Sequence, residues 1–123
     1  MAQLLVDGIV RLNSDGTRDT AFTTNTSTGF NVNGYVYSLA IQSDGKIIAG
    51  GTFTTFNGAT VNGIVRLNSD GTRDTAFTVN AGTGVNSSIQ KLVIQPDGKI
   101  VLGGDFSAFN GINRSRLARI GGE

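Results

Sequence analysis

The sequence predicts an all-β protein built of β-propeller blades, each of four antiparallel strands, and three observations predict it. First, the sixteen-residue string GIVRLNSDGTRDTAFT occurs twice without a change, at Gly8–Thr23 and Gly63–Thr78, 55 residues apart. Second, YSLAIQSDGKIIAGGTFTTFNG (Tyr37–Gly58) returns as QKLVIQPDGKIVLGGDFSAFNG (Gln90–Gly111), 53 residues on. Third, the chain holds 18 glycines against one proline, a composition of many tight turns. Internal repetition at a period just above about 50 residues is the signature of a propeller, solenoid or array. Nothing within the period has helical spacing, and short strands joined by tight turns make a propeller blade.

Each strand has its own warrant. SLAIQ and KLVIQ are apolar runs closed by SDGK and PDGK, and Asp-Gly between two apolar segments marks a hairpin because glycine adopts positive φ freely. The runs that follow, KIIAGGTF and KIVLGGDF, are apolar at alternate and intervening positions, so both faces of this second strand are covered. The pairs Gly50-Gly51 and Gly103-Gly104 predict a bulge or the close approach of another backbone. A loop with Asn57-Gly58 or Asn110-Gly111 leads to the third strand, GIVRLN, and after a further SDG turn TRDTAF is expected as the fourth. With strands lettered A to D, the single repeat domain 1–123 reads C-D (8–23), a full blade A-B-C-D (35–78) and A-B-C (88–121). The third-strand motif appears three times, as IVRLN, IVRLN and the diverged LARIG.

Composition narrows the function classes. The 123 residues are 38% hydrophobic and 15% charged with a formal net charge of +1, too apolar for disorder. No Lys or Arg run supplies the footprint of nucleic-acid or anionic-membrane binding, so neither partner is expected. Apolar runs stop at four or five residues, far from the roughly 20 of a helical span. The opening MAQLLVD lacks the basic and long apolar regions of a signal peptide. Cysteine is absent, excluding disulfides and thiolate sites.

The same reading predicts no catalytic residues, no cofactor and no metal. Without histidine the commonest general base and metal ligand is missing. GTGVNSS has glycines but no following Lys, so it forms no phosphate loop. NSDGTRD (Asn13–Asp19, Asn68–Asp74) has the oxygens of a calcium loop in Asn13, Asp15 and Asp19. Arg11 or Arg66 nevertheless stands where the first acidic ligand belongs, and no closing Glu follows. The preferred reading is an Asp-Gly turn with Asp19 paired to a neighbouring arginine. Phe56 with Asn57, and Phe109 with Asn110, could face a ligand, offering a ring to stack and an amide for sugar hydroxyls. Phenylalanine is more often core than a sugar platform, which favours Trp or Tyr. Tyr35 and Tyr37 occur only in the first repeat, where the second has Ser88 and Gln90.

The strings QPDGKIVLGGDF…NG…RLARI and RLNSDGTRDTAF…GTGVN resemble the delta-60 repeat, found in tandem in large bacterial proteins with propeller-like folds. The resemblance runs from Gly8 to Ile120. It implies architecture and an extracellular or virion-associated setting, and it brings no catalytic chemistry to any residue. Members carry many repeats, whereas this chain has two and a remnant. Exact duplication also fits a fragment of a longer array, a recent duplication or a consensus design.

Propellers close with about four to eight blades. About two blades and an extra strand leave bare apolar faces and open strand edges. The expected solution is homo-oligomerisation into a ring: a trimer of six blades, with dimer and tetramer as the other closures. Leu5, Ile9, Leu12, Leu117 and Ile120 are the expected inter-chain contacts, with one third strand per junction in surplus. The expected function is a non-enzymatic structural or assembly protein. The alternative is a carbohydrate- or protein-binding propeller using repeated loops.

Overall fold

A computed structural model describes residues 8–31, 33–77 and 83–122. Two three-stranded antiparallel sheets dominate it. The first joins β1 (Val36–Ile41), β2 (Ile47–Gly51) and β5 (Ile64–Leu67) in the order β1-β2-β5. Between β2 and β5 the chain makes a two-residue-strand hairpin, β3 (Thr55–Phe56) and β4 (Ala59–Thr60). The second sheet repeats this plan with β6 (Ile89–Ile94), β7 (Ile100–Gly104) and β10 (Leu117–Ile120). Its side hairpin is β8 (Ala108–Phe109) with β9 (Ile112–Asn113).

The register makes the repetition exact in space. Ile47 pairs with Leu67 and Gly50 with Ile64 in one sheet, as Ile100 pairs with Ile120 and Gly103 with Leu117 in the other. Both A–B ladders carry a bulge at the same place, between Val36 and Ser38 and between Ile89 and Lys91. Here the paired glycines lie opposite, as their spacing predicts. The Asp-Gly hairpins form too, with Gly45 at φ 90° and Gly98 at φ 87°.

The four-stranded blade needs correction. TRDTAF does not form a strand: it contributes one bridge, Arg18 to Leu12 or Arg73 to Leu67, and then turns into helix. α1 (Thr20–Thr26) follows Asp19, whose extended backbone and side chain cap it by accepting from Phe22 N. Residues 75–77 start the same turn after Asp74. A short acceptor at the N-cap, three residues before an aromatic that must reach the core, favours one helical turn over a strand.

Packing divides the described residues into three units: a partial first (8–31), a second (35–77 with 83–86) and a third (88–122). One buried cluster joins Ile9, Phe22 and Phe30 of the first unit to Ile47, Ala49, Phe53, Phe56, Val65 and Leu67 of the second. The other joins Ile48, Ile64, Phe77 and Val85 of the second to Ile89, Leu92, Ile100, Leu102, Phe106, Phe109 and Ala118 of the third. Ile64, Phe77 and Val85 are the repeats of Ile9, Phe22 and Phe30. Each core is therefore one interface between successive units, formed twice.

Candidate functional site at the unit interface

The charged centre of each interface comes from the duplicated string. In the second unit, Arg66 lies on β5 and Asp74 follows the SDG turn, so the hairpin brings them side by side. Arg66 Nε donates to Asp74 Oδ2 at 2.9 Å, and Lys46 Nζ reaches the same oxygen at 2.8 Å and Asn68 Oδ1 at 3.1 Å. The guanidinium lies 4.7 Å from the Phe77 ring centroid, a cation–π contact that shields its other side. Burial pushes the Asp74 carboxyl up, but the Lys46 hydrogen bond and the Arg66 charge outweigh it and hold the group below its ordinary value.

Arg66 also reaches into the next unit. Its NH1 donates to Gly122 O at 3.0 Å and to Gln42 Oε1 at 3.3 Å, while Gln42 Nε2 donates to Gly122 O at 2.9 Å. Arginine, glutamine and the carbonyl of the following unit thus close a three-membered latch. The first unit builds most of it again. Arg11 Nε donates to Asp19 Oδ2 at 3.0 Å, its guanidinium sits 4.3 Å from the Phe22 centroid, and its NH1 donates to Ser69 O at 2.5 Å. By register Ser69 is the repeat of Gly122, so the bond is the same bond one unit earlier. Asn25 Nδ2 adds a donor to Asp70 O at 2.7 Å. The Asp19 carboxyl is held below its ordinary value, chiefly by the Phe22 N–H and further by Arg11.

The turn itself is occupied by its own residues. Asp15 Oδ1 accepts from Thr17 N at 3.0 Å and Thr17 Oγ1 at 2.6 Å, and the Thr17 bonds hold the carboxyl below its ordinary value. Asp70 and Thr72 repeat this. These oxygens serve an Asx turn, and the predicted pairing of Asp19 with an arginine is the observed one.

The expected ligand-facing residues do other work. Phe56 and Phe109 are buried core, so neither presents a face for stacking. Asn57 Oδ1 accepts from Gly29 N at 2.9 Å, and Asn110 Oδ1 accepts from Gly84 N at 2.8 Å. Each asparagine adopts positive φ at its hairpin tip and ties that hairpin to the exit loop of the preceding unit. Of the expected inter-chain contacts, Leu5 lies outside the described residues. Ile9 is corrected: it is buried within its own chain's core, against the second unit. Leu12 and Leu117 are exposed, and Ile120 is half-buried against the second core. Sequence reasoning missed the role of Gln42 and the carbonyl acceptors Ser69 and Gly122. The only signal for them was an arginine recurring on an otherwise apolar strand.

No curated protein and no solved structure is similar to the chain. A family model does match, described as Domain of unknown function (DUF5122) beta-propeller, over residues 5–22, 42–77 and 95–121. Its three segments fall one in each unit, and two of them start at the A–B turns that carry Gln42 and Gln95. Matched over more than half its length, with its interface repeated unit by unit, the chain belongs to the DUF5122 beta-propeller family.

Proposed function

We propose that this propeller-family chain is a structural, ring-forming protein of the delta-60 repeat type, with no catalytic role, that closes its ring with copies of itself. One observation carries the reading: the two cores are the same interface, and among the described residues one half of it lies open on the first unit and the other half on the third. Among the described residues, no A or B strand flanks the first C strand, where Val10 is exposed, and nothing covers Gly103 on the sheet of the third unit. A soluble protein does not leave two complementary apolar halves in water when a second copy supplies the match. Three chains make six blades, the middle of the usual range.

Light scattering tests this directly. The reading expects a molar mass of three chains in solution; a mass of one chain removes it. A binding role is the second reading, supported by Tyr35 and Tyr37, which stack on the surface with ring centroids 6.2 Å apart and planes 6° from parallel. A trimer would present this pair three times, and avidity for a repeated glycan or protein epitope would follow. A glycan array reporting no binder removes its carbohydrate form.

A further inference from the structure

Among the described residues the latch between units is complete once and left in halves in the first and third units. Between the second and third units, Arg66, Gln42 and Gly122 O are all bonded. In the first unit Arg11 holds Ser69 O and has no glutamine partner among the described residues. In the third unit the glutamine is present as Gln95, the repeat of Gln42, and its Oε1 is buried with no hydrogen-bond partner among the described residues. Arg119, at the arginine position of β10, is exposed and makes no ion pair among them.

The apolar surfaces are halved the same way. Leu92 packs over Gly50, where an added Cβ would lie 2.7 Å from Ile89 and 3.2 Å from Leu92. Its repeat in the second unit, Leu39, is 52% exposed against 5% for Leu92. Gly103, the repeat of Gly50, has nothing nearer its would-be Cβ than Arg116 O at 3.9 Å. Val10, on the first C strand, which no B strand flanks among the described residues, is 58% exposed, whereas its repeat Val65 is 2% exposed beside β2.

Resting on the ring-forming reading, the geometry points to a head-to-tail strand exchange between copies. Gly8–Leu12 of a second copy replaces β10 along β7, pairing Gly103 with Ile9 and Ile100 with Leu12. Leu39 of that copy then covers Gly103, and its Arg11 donates to Gln95 Oε1 while keeping Ser69 O. Both end halves are satisfied by one docking, and Ser14 O of the second copy, at the position of Gly122 O, takes over the bonds from Arg66 and Gln42 that leave with β10. Two observations identify β10 as the strand that yields. Gly8 and Gly63 hold φ of 91° and 83°, with Phe30 and Val85 of their exit loops 2.9 and 2.5 Å from a would-be Cβ. β10 has Arg116 at this position, at φ 66°, so an exit loop cannot close over it. The Gly8–Leu12 strand is also anchored through Asp19 and the buried Phe22.

Gly103→Leu and Leu39→Asp test the docking on the full chain. Both side chains would sit in open space in a single copy, so circular dichroism of each variant should match wild type. Light scattering should show the mass of each fall from the assembly to one chain, a threefold drop for a trimer. Mixed in equal amounts, they should form a one-to-one pair, since only the Gly103 face of L39D and the Leu39 face of G103L are intact. In the wild-type assembly the β10 amides should exchange at least tenfold faster than in G103L. Retention of the wild-type mass by either variant, failure of the mixture to pair, or protected β10 amides in the assembly overturns the exchange while leaving ring formation standing. A single-chain mass for wild type removes ring formation itself.

Discussion

Arg11 and Arg66 occupy identical local sequence and bear different loads. The Arg66 side chain is 5% exposed and that of Arg11 39%, because among the described residues only Arg66 has the A–B hairpin of its own unit beside it. Replacing Asp74 with Asn leaves a buried guanidinium without its carboxylate, and we expect a loss of about 2 kcal/mol in urea unfolding. Asp19→Asn, on a solvated pair, should lose clearly less. Protonation acts on the same bond. The folded Asp74 carboxyl titrates below its unfolded value of about 3.9. Its contribution is therefore complete above that value and is lost as pH falls through the folded one. The unfolding midpoint should drop between pH 5 and pH 2 (a window of about this width) more steeply in wild type than in Asp74→Asn. The Asp–Arg pair was legible in the sequence because the carboxylate recurs eight residues after each arginine, across a recognisable turn. The latch was not, since its acceptors are backbone carbonyls of another unit and carry no residue-type signal.

At the scale of elements, the A–B hairpins, their bulges and the third strands follow from Asp-Gly turns, paired glycines and apolar alternation. The fourth strand does not. In TRDTAF, threonine and phenylalanine suit a strand, but Asp19 can cap a helix and Phe22 can reach the core only by turning inward. The tertiary demand outweighs the local preference. Phe22 is accordingly fully buried, and Phe22→Ala should cost about 3 kcal/mol in chemical denaturation. Thr24, exposed on the same turn, should tolerate alanine within about 0.5 kcal/mol. Phe56 and Phe109 were read correctly as core candidates from their residue type, whereas the asparagines beside them look free in sequence. Their amides are occupied by Gly29 and Gly84, 28 and 26 residues away.

Across the described residues one interface is repeated, and the proposed assembly takes the open faces at Val10 and Gly103 as the two sides of a third. Period identity made the repeated core legible, since equal strings carry the same apolar positions, Ile9 and Phe22 recurring as Ile64 and Phe77. Which third strand the proposed junction displaces was not, because that reading rests on Arg116 standing at a glycine position and on Gln95 Oε1 having no partner among the described residues. If assembly covers these ends, unfolding is linked to association, so the unfolding temperature should rise as protein concentration increases. A concentration-independent temperature over a hundredfold range would count against assembly. Native mass spectrometry at micromolar concentration gives the most direct reading of ring closure. A closed ring predicts a single species of three chains whose stoichiometry does not change with concentration; single chains, or a ladder of successive sizes, would contradict it.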